Sequence, residues 1–524
     1  MGTLKSLMYL AACWALAGCL SAAEVKDPVN KLEPKVSPNS AAVKASNDFA
    51  CDLYRSLDQE NRGKNLFFSP YSISSALAMT LEGARGATAA EMGQVMRLPE
   101  ALRSSTGDPK ELPWTTAVYH QDFGALNRRF NATTDDPVKD KAQRRKLAEL
   151  RQELEQMNRD MVLLDRQNKF QAASNLQAKA QKVADAINAL QAQLDPYELR
   201  VANALFGEKT YPFERTYLDI IGKHYGSGLL RHADFRNSFP AERDKINAWV
   251  EEHTKKRIRD LIPKLPPEVG SQVRLILVNA TYFKGFWMSP FDEKQTRKED
   301  FLLADGGKQP VAMMRGYSPT GYAAFNSDGV YFDTPHEIAI EKGKAAQATY
   351  PDDGFLMAEL PFKGDRLSMT VIAPRKQDGL PKLEAGLTGE KLSAWLGKLQ
   401  RRAVILAMPK FKLETDYSLH DTLKNMGMTR AFDARLADFS GMSASRNPDD
   451  QLLISKVLHK AFVEVNEKGA EAAAATAAIM EKKDAKRETR PFIPEFRADR
   501  PFLFLIRDRE SGTILFLGRV TQPG

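Results

Sequence analysis

The sequence predicts an α+β fold with large mixed β-sheets. Three apolar, partly β-branched stretches, 273–283, 367–373 and 404–408, have the composition of buried strands. The helical stretch 243–254 lies among them, and the C-terminal stretch 502–520 predicts a β-hairpin. Strands and helices mixed in this way are typical of the α+β class.

The N-terminal part of the folded region has the same character. Residues 65–68 have a strand composition, and Ser69 followed by Pro70 predicts the start of a helix. Serine caps helices and proline fits their first turn, which makes this pair a physically sensible beginning. The Ala-, Leu- and Met-rich stretch 73–81 then predicts a buried helix.

The composition is that of a soluble globular protein. The 524 residues are 43% hydrophobic and 27% charged, which allows an ordinary core. A net charge of +8 from 75 basic and 67 acidic side chains is a mixed surface, so we expect no nucleic-acid partner. Only Cys51 lies outside the N-terminal leader, so the folded part cannot form an internal disulfide. Its apolar neighbours predict a small buried hydrophobe.

Sequence patterns of common enzymes are missing. The chain contains no HExxH, CxxC, Walker or GxSxG pattern. We therefore expect no enzyme activity, no cofactor and no bound metal.

Residues 1–18 predict a lipoprotein signal peptide. A single lysine precedes an apolar run that is too short to span a membrane, and no other stretch of the chain predicts a span. The end of the run resembles a bacterial lipobox, so a lipid on Cys19 would anchor the exported protein. The residue after the cysteine is Leu20 rather than an aspartate, which resembles outer-membrane lipoproteins more than inner-membrane ones. The alternative is cleavage after Ala23 and secretion.

A flexible tether is predicted for residues 19–44, followed by a folded domain over 45–524. The tether region is rich in Ala, Ser, Pro, Lys and Val, a composition that buries little apolar surface. The folded domain would therefore be held at a distance from the membrane by its N-terminal lipid.

Residues 135–195 predict an antiparallel helical hairpin within that domain. Two sets of apolar residues recur at alternating spacings of three and four, with a polar break between them. The first set is Leu147, Leu150, Leu154, Met157, Met161 and Leu164, and the second is Ala173, Leu176, Ala180, Val183, Ile187, Leu190 and Leu194. Such a hairpin is either a partner-binding arm or a solvated insertion.

Eight stretches resemble the serpin family and occur in that family's order. They are NLFFSPYSISSALAM (65–79), GARGAT (83–88), LVNATYFKGFWMSPF (277–291), ELPFKGDRLSMTVIAP (359–374), MPKFKLE (408–414), ADFSGMS (437–443), ISKVLHKAFVEVNEKGAEAAAAT (454–476) and FRADRPFLFLIRDRESGTILFLGRV (496–520). The resemblance covers the folded domain, apart from the predicted hairpin and a shorter insertion near 325–346.

The resemblance implies a fold of three β-sheets and about nine helices, with an exposed reactive loop that can be added to a sheet as a strand. It also implies a mechanism. A serine protease attacks the loop and forms an acyl-enzyme, and the loop then inserts into the main sheet and distorts the protease. We therefore expect a monomer that forms a covalent complex with a trypsin-like serine protease.

The resemblance places the hinge of the reactive loop at 467–478. Its residues are Glu467, Gly469, Ala470, Glu471, Ala472, Ala474 and Thr476. Strand insertion sends alternate side chains into the core, and the alternate set from Ala470 to Thr476 carries no charge. Glu471 belongs to the other set and can face solvent. By local propensity alone the same alanine-rich run predicts a helix.

Counting from the hinge places the reactive bond between Lys483 and Asp484. A lysine there would fit the acidic pocket of a trypsin-like protease. Counting back from the stretch 496–501 places the bond near 488–489, because the segment 484–495 is longer than is usual in the family. Further basic candidates are Lys482, Lys486 and Arg487. All of them predict the same class of target.

The resemblance also implies a polar cluster under the sheet that opens, and a tryptophan where the loop first enters. The cluster consists of Ser69, Ser72, Asn279 and His459, and the tryptophan is Trp287. Buried polar groups must be hydrogen-bonded, so strand insertion would rearrange their bonds. Without the resemblance, His459 and Trp287 would be ordinary core residues.

Three alternative functions stay open at this point. The protein could be a serpin that does not inhibit, although such members usually carry bulky or charged hinge residues. It could inhibit a cysteine protease. A basic cluster could also bind an anionic polysaccharide or simply be a solvated helix face; its members are Arg128, Arg129, Lys139, Lys141, Arg144, Arg145 and Lys146.

Overall fold

A computed structural model places the chain from Val36 to Gly524 in one unit. The residues that it describes are 36–104, 108, 110–131, 137–167, 169–193, 197–226, 228–341, 344–345, 353–443, 451–467 and 489–524. The predicted signal peptide 1–18, the predicted lipidation site Cys19 and most of the predicted tether lie outside these residues.

The helices and strands of the described residues have the following bounds. The helices are α1 (Ala41–Glu60), α2 (Pro70–Gly83), α3 (Gly86–Val95), α4 (Ala117–Asn131), α5 (Pro137–Arg166), α6 (Phe170–Gln193), α7 (Arg215–Tyr225), α8 (Phe235–His253), α9 (Pro267–Gly270), α10 (Leu380–Ala385), α11 (Gly389–Leu396) and α12 (His420–Asn425). The strands are β1 (Leu66–Phe68), β2 (Tyr197–Glu208), β3 (Leu230–Ala233), β4 (Leu275–Gly285), β5 (Arg297–Leu302), β6 (Lys308–Phe325), β7 (Tyr331–Phe332), β8 (Glu337–Glu341), β9 (Lys344–Ala345), β10 (Phe355–Pro361), β11 (Leu367–Pro374), β12 (Gln400–Pro409), β13 (Phe411–Ser418), β14 (Lys456–Val465), β15 (Thr489–Pro491), β16 (Glu495–Arg497), β17 (Phe502–Asp508) and β18 (Ile514–Val520).

The described strands form two large sheets and one small sheet. The largest has ten strands, in the order β1-β18-β17-β11-β10-β6-β12-β16, with β5 and β7 also paired to β6. The second has the order β13-β14-β4-β2-β3, and the third the order β15-β8-β9. The predicted α+β class is confirmed, and the predicted C-terminal hairpin is the antiparallel pair β17–β18.

Aromatic rings join the two large sheets. Phe67 on β1 stacks on Phe516 of β18, with 5.0 Å between the ring centroids. Phe283 of the five-stranded sheet reaches the same ring at 5.8 Å. Burying one such side chain contributes roughly 1.5–3 kcal/mol to folding, so this contact is part of what fixes one sheet on the other.

The helix α2 packs under the five-stranded sheet and is buried on almost every side. Ser69 caps it and Pro70 occupies its first turn, as the sequence predicts. A helix buried all round needs apolar or hydrogen-bonded residues at every position. This explains why its serines, among them Ser72, sit in the interior rather than on the surface.

The predicted tether is too long, because residues 36–44 belong to the folded unit. Ser40 caps α1, and its Oγ accepts a hydrogen bond from the Val43 N–H at 3.3 Å. Val36 and Ala42 are buried as well. The Ala- and Val-containing composition that suggests a linker is in fact the apolar face of a capped helix, and the cap stabilises its first turn.

The helices α5 and α6 cover most of the stretch 135–195 for which the sequence predicts an antiparallel hairpin. Leu147 near the start of α5 and Ile187 near the end of α6 are buried against each other, so the two helices run in opposite directions. Leu150, Leu154, Val183 and Leu190 pack around them. This interface is separate from the main core, which indicates that the hairpin holds itself together.

Two further observations concern the prediction of no membrane span after the leader and the prediction for Cys51. Within the described part of the chain, none of the helices has the length and apolar character needed to cross a bilayer. Cys51 is buried and free, and burial raises the pKa of its thiol to about 12. The thiol is therefore neutral and packs as a small apolar group.

The separate interface generates a prediction for the hairpin. The change Leu147→Asp buries a charge between α5 and α6, and we expect both helices to unfold because neither is stable alone. The circular dichroism signal at 222 nm should then fall by about a third, while the main thermal transition moves by no more than about 2 °C. Leu163→Asp on the exposed side of α5 is the matched control, because Leu163 is 52% exposed. A large fall in the main transition with Leu147→Asp would mean that the hairpin belongs to the core.

Candidate functional site

The candidate site is the boundary between β4 and β14 in the five-stranded sheet, which we call the seam. The two strands are parallel and pair from Lys456↔Ile276 to Val463↔Phe283. The chain leaves β14 at Val465 and continues into the stretch that holds the predicted reactive loop. A strand that turned back from this point into the seam would be antiparallel to both neighbours. Antiparallel pairing is slightly more stable per residue than the parallel pairing it would replace.

The structure brings the four residues of the predicted polar cluster together at the seam. His459 on β14 and Asn279 on β4 are partners in the strand register, and His459 Nδ1 lies 2.6 Å from Asn279 Oδ1. Ser72 Oγ lies 2.8 Å from the same oxygen. The Ser69 N–H donates to His459 Nε2 at 3.0 Å. The bond between His459 and Asn279 crosses the seam, so a strand inserted between β4 and β14 must break it.

These partners fix the protonation state of His459. Its Nε2 accepts a hydrogen bond from a backbone N–H, so it cannot carry a proton, and Nδ1 therefore donates to Asn279. Burial lowers the pKa of His459 to about 3, and hydrogen bonding with the Asn279 backbone only partly opposes this effect. The imidazole is neutral at physiological pH.

Two further members of the cluster are not predicted by the sequence. Asn203 Oδ1 on β2 lies 2.7 Å from Ser72 Oγ, and Thr281 Oγ1 on β4 donates to Ser72 Oγ at 3.0 Å. Ser72 has one hydroxyl proton, so it can donate either to Asn203 or to Asn279. Among the described residues Asn279 Nδ2 has no hydrogen-bond partner. The closed seam thus leaves the cluster short of its full hydrogen bonding, which reduces the cost of opening it.

Asn203 becomes visible only through strand pairing. It is the register partner of Asn279 across β2 and β4. The two residues are far apart in sequence, and no local pattern links them. The pairing register was the missing signal.

Trp287 lies where the seam ends. Its Nε1 donates to the Asn466 carbonyl oxygen at 2.9 Å, and its ring stacks on Phe362 at 4.7 Å. Beyond the last paired residues of the seam, a cavity of about 430 Å³ lies between the diverging strands, lined in part by Trp287 and Asn466. Trp287 therefore holds the first residue after β14 at the open end of the seam.

Glu467, the first predicted hinge residue, is anchored next to Asn466. Its Oε1 accepts from Thr296 Oγ1 at 2.8 Å, and its Oε2 lies 3.0 Å from Lys410 Nζ. Its carbonyl oxygen also accepts from the Phe291 N–H at 3.2 Å. Burial opposes ionisation, but hydrogen bonds from its own backbone, Lys410 and Thr296 outweigh burial and hold the pKa of Glu467 below its usual value. Any movement of the hinge into the seam must break this ion pair.

The rest of the predicted loop lies outside the described residues. These positions are Gly469, Ala470, Glu471, Ala472, Ala474, Thr476, Lys482, Lys483, Asp484, Lys486 and Arg487. Their roles stay predictions from the sequence. In the described part of the chain, no group of three or more His, Cys, Asp or Glu side chains is placed to hold a metal ion.

Comparison with known proteins extends these observations to the whole unit. The family model described as Serpin (serine protease inhibitor) matches residues 44–523. Human Serpin B3 is 35% identical over 481 residues, which cover 91% of this chain and 98% of that protein. Human Serpin B10 is 34% identical with the same coverage of each chain.

Solved structures give the same result for the fold. Uncleaved ovalbumin is 25% identical and has a TM-score of 0.65, covering 92% of this chain and 100% of its own. Native protease nexin-1 with heparin is 23% identical and has a TM-score of 0.64, covering 93% and 100%. The seam, the anchored end of β14 and the match along almost the entire unit agree, and the chain belongs to the serpin family of serine protease inhibitors.

Proposed function

We propose that this serpin inhibits trypsin-like serine proteases as a suicide substrate, by inserting its cleaved loop into the seam. One observation supports the proposal above the others. The predicted loop begins where β14 ends, at the open end of a parallel seam that few side-chain bonds bridge. Membership of the serpin family supports protease inhibition in general. The basic residues of the predicted loop indicate that the target is a trypsin-like protease.

The first step is acylation of the protease. Its serine hydroxyl attacks the carbonyl carbon of Lys483 and the bond to Asp484 breaks. The protease histidine removes the serine proton and gives it to the leaving amine of Asp484, so an ester joins Lys483 to the serine. A basic side chain at Lys482, Lys486 or Arg487 would select the same class of protease. A cysteine protease would instead form a thioester at the same carbonyl and is the alternative target.

The second step is insertion of the cleaved loop. Cleavage frees the end at Lys483, and the chain from Glu467 onwards can fold back into the seam. The new strand would pair with β4 on one side and with β14 on the other, which gives its backbone groups partners on both edges. The ladder between β4 and β14 is lost and two new ladders replace it, and each hydrogen bond gained in this exchange contributes about 1 kcal/mol net. The alternate set from Ala470 to Thr476 enters the core without burying a charge.

Insertion moves the bound protease across the sheet. The extended chain between Glu467 and Lys483 would span roughly 50 Å, so the ester is carried from one end of the seam to the other. The protease is then held against the far end of the inhibitor while it is still acylated. Inhibition depends on this movement being faster than hydrolysis of the ester by water.

The described residues favour the solvated-face interpretation of the basic cluster over a polysaccharide site. Arg129 forms an ion pair with Glu510. Arg145 and Lys146 approach Glu149 at 3.3 and 3.9 Å. These pairs neutralise part of the positive charge that an anionic polysaccharide would need.

The reactive loop generates a prediction with a matched control. Ala474→Asp places a charge in the alternate set that enters the core, whereas Ala475→Asp places it in the set that faces solvent. We expect Ala474→Asp to be cleaved by trypsin with at least about tenfold less SDS-resistant complex than the wild type, because the strand cannot insert in time. Ala475→Asp should form complex as the wild type does. Equal behaviour of the two variants would show that the loop does not insert with this parity.

A second prediction concerns acid. The unfolded imidazole of His459 has an ordinary pKa near 6.5, and burial lowers the value in the folded protein to about 3. Between these values the unfolded chain binds a proton that the folded chain does not. Stability is therefore fully present above pH 6.5 and falls as the pH drops, by up to about 2 kcal/mol at pH 5.

The measurement is the rate at which urea unfolds the protein at pH 7.5 and at pH 5, followed by tryptophan fluorescence. His459→Gln should unfold faster than the wild type at pH 7.5. It should lose most of the acid acceleration, which is the increase in unfolding rate between pH 7.5 and pH 5. His253→Gln, which changes an exposed histidine, should keep that acceleration. The assignment to His459 is wrong if His459→Gln shows the same ratio of rates as the wild type.

The third prediction tests the proposed location. We propose that the protein is exported and held at the outer membrane by a lipid on Cys19. Cys19→Ser should prevent incorporation of radiolabelled palmitate and move the protein from the membrane fraction to the soluble fraction, because the acyl chains supply the binding free energy. Cys13→Ser, in the predicted signal peptide, is the control and should leave both unchanged. A soluble, unlabelled wild-type protein would instead support cleavage after Ala23.

A further inference from the structure

The small third sheet joins two parts of the chain that depart from the family pattern. β15 follows the reactive loop directly, and β8 belongs to the insertion near 325–346. The two strands are antiparallel, with Thr489↔Ala339, Arg490↔Ile338 and Pro491↔Glu337 as partners. The Phe492 N–H donates to the His336 carbonyl oxygen at 2.8 Å and extends the contact by one residue.

Arg402 on β12 ties the same two segments together. One guanidinium nitrogen donates to the Thr334 carbonyl oxygen at 3.0 Å. The other donates to the carbonyl oxygens of Pro335 and Phe492 at 2.8 and 2.9 Å. Its guanidinium also lies 6.0 Å from the centre of the Phe492 ring. The planar guanidinium spreads its N–H groups over separate nitrogens in a fixed geometry, so it can donate to three carbonyl oxygens that lie apart from one another.

The chain after Phe492 is fixed in turn by the ten-stranded sheet. The Ile405 N–H donates to the Pro494 carbonyl oxygen at 2.9 Å, and β16 pairs with β12 from there. The backbone is therefore held from Thr489 to Arg497. The stretch 489–494 accounts for the extra length that the sequence shows between the predicted bond and the C-terminal landmark of the family.

We propose that the described residues of the segment 326–345, together with Arg402, form a clamp that determines which bond of the reactive loop a protease can cleave. The clamp is the ladder between β8 and β15 together with the three carbonyl contacts of Arg402. It holds the distal end of the loop at Thr489, so that only bonds well before this residue can enter an active site. The inference rests on the proposed function and extends it to the choice of bond.

Two properties of the ladder limit cleavage close to it. The chain between a nearby bond and Thr489 is short, and the backbone groups of the ladder are already hydrogen-bonded. A protease binds an extended substrate on both sides of the bond, and it needs backbone groups that are free to pair. The bond after Arg487 lies two residues before Thr489, within about 7 Å of the ladder along an extended chain. The bond after Lys483 lies six residues before it, with about 20 Å of chain to spare.

The clamp therefore selects among the basic candidates. Thr489, two residues after Arg487 and three after Lys486, is already paired with β8, so a protease at either bond would meet that strand. The bonds after Lys482 and Lys483 lie seven and six residues before Thr489, a distance at which a protease would clear the paired strand. The count from the hinge, which gives Lys483, and the count from the C-terminal landmark, which gives 488–489, differ because the second count includes the clamped residues.

The test is the position of trypsin cleavage within 481–491, determined by mass spectrometry of the C-terminal peptide after denaturation. We expect wild-type cleavage after Lys482 or Lys483. In Arg402→Ala the clamp is weakened, and cleavage after Lys486 and Arg487 should rise at least tenfold. Arg401→Ala is the matched control, because Arg401 is the exposed neighbour on the same strand, and its cleavage pattern should equal that of the wild type. Main cleavage of the wild type after Lys486 or Arg487, or identical patterns in the two variants, would overturn the proposal.

A disulfide across the ladder keeps the test decisive if Arg402→Ala does not fold. Thr489→Cys with Ala339→Cys joins two register partners, whose Cα atoms in an antiparallel pair lie at a distance that a disulfide can bridge. The oxidised variant should form the trypsin complex as fast as the same protein after reduction with dithiothreitol. Complex formation that appears only after reduction would show that the ladder must open, and the clamp would be wrong.

The same experiments separate the clamp from the proposed function. Cleavage after Lys483 without an SDS-resistant complex would refute inhibition and leave the clamp in place. A resistant complex formed by cleavage after Arg487 would refute the clamp and leave inhibition in place.

Discussion

The fold of this protein depends on one constraint, which is that β4 and β14 are parallel neighbours. Because they run in the same direction, the chain that leaves β14 can return between them as a strand antiparallel to both. A sheet in which these two strands were antiparallel could not offer this symmetrical position. The open cavity at the end of the seam and the bond between His459 and Asn279 across it both follow from that arrangement.

Besides the backbone pairing of β4 with β14, a small number of specific side-chain contacts hold the seam closed. Trp287 fixes Asn466, and Lys410 and Thr296 fix Glu467, at the end where a strand would enter. Further along, the polar cluster joins the strands through side chains rather than through additional packing. Hydrogen bonds and ion pairs of this kind can be exchanged one at a time, whereas a well-packed apolar interface would have to open all at once. This is the property that the proposed insertion mechanism requires of the closed state.

The sequence predicts individual helices and strands better than it predicts which of them pack or pair with each other. The strand at 273–283 and the hairpin α5–α6 follow from composition and spacing, which are local properties. The start of α1 was missed because residues 36–44 have a linker composition, and only burial of Val36 and the Ser40 cap reveal the helix. Local patterns carry no information about which distant segments meet.

The same limit applies to the site. The resemblance to serpins identified Ser69, Ser72, Asn279 and His459, and the structure places them together. The resemblance did not identify Asn203, which joins the cluster through the register of β2 and β4. It also did not identify the contact of Arg402 with Phe492. Both depend on strand pairing between segments that are far apart in the chain. The sequence sets only an expected insertion near 325–346 apart from the family pattern, and its contact with β15 had to come from the structure.

The position of the last two strands has a consequence for what happens after the loop is cut. β18 lies between β1 and β17, and β17 lies between β18 and β11, so the C-terminal piece forms two interior strands of the ten-stranded sheet. Its aromatic side chains, such as Phe504 and Phe516, are completely buried. A severed tail of this kind cannot diffuse away under native conditions. The used inhibitor would remain a single particle of two nested polypeptides, and no free fragment would be shed into the surroundings.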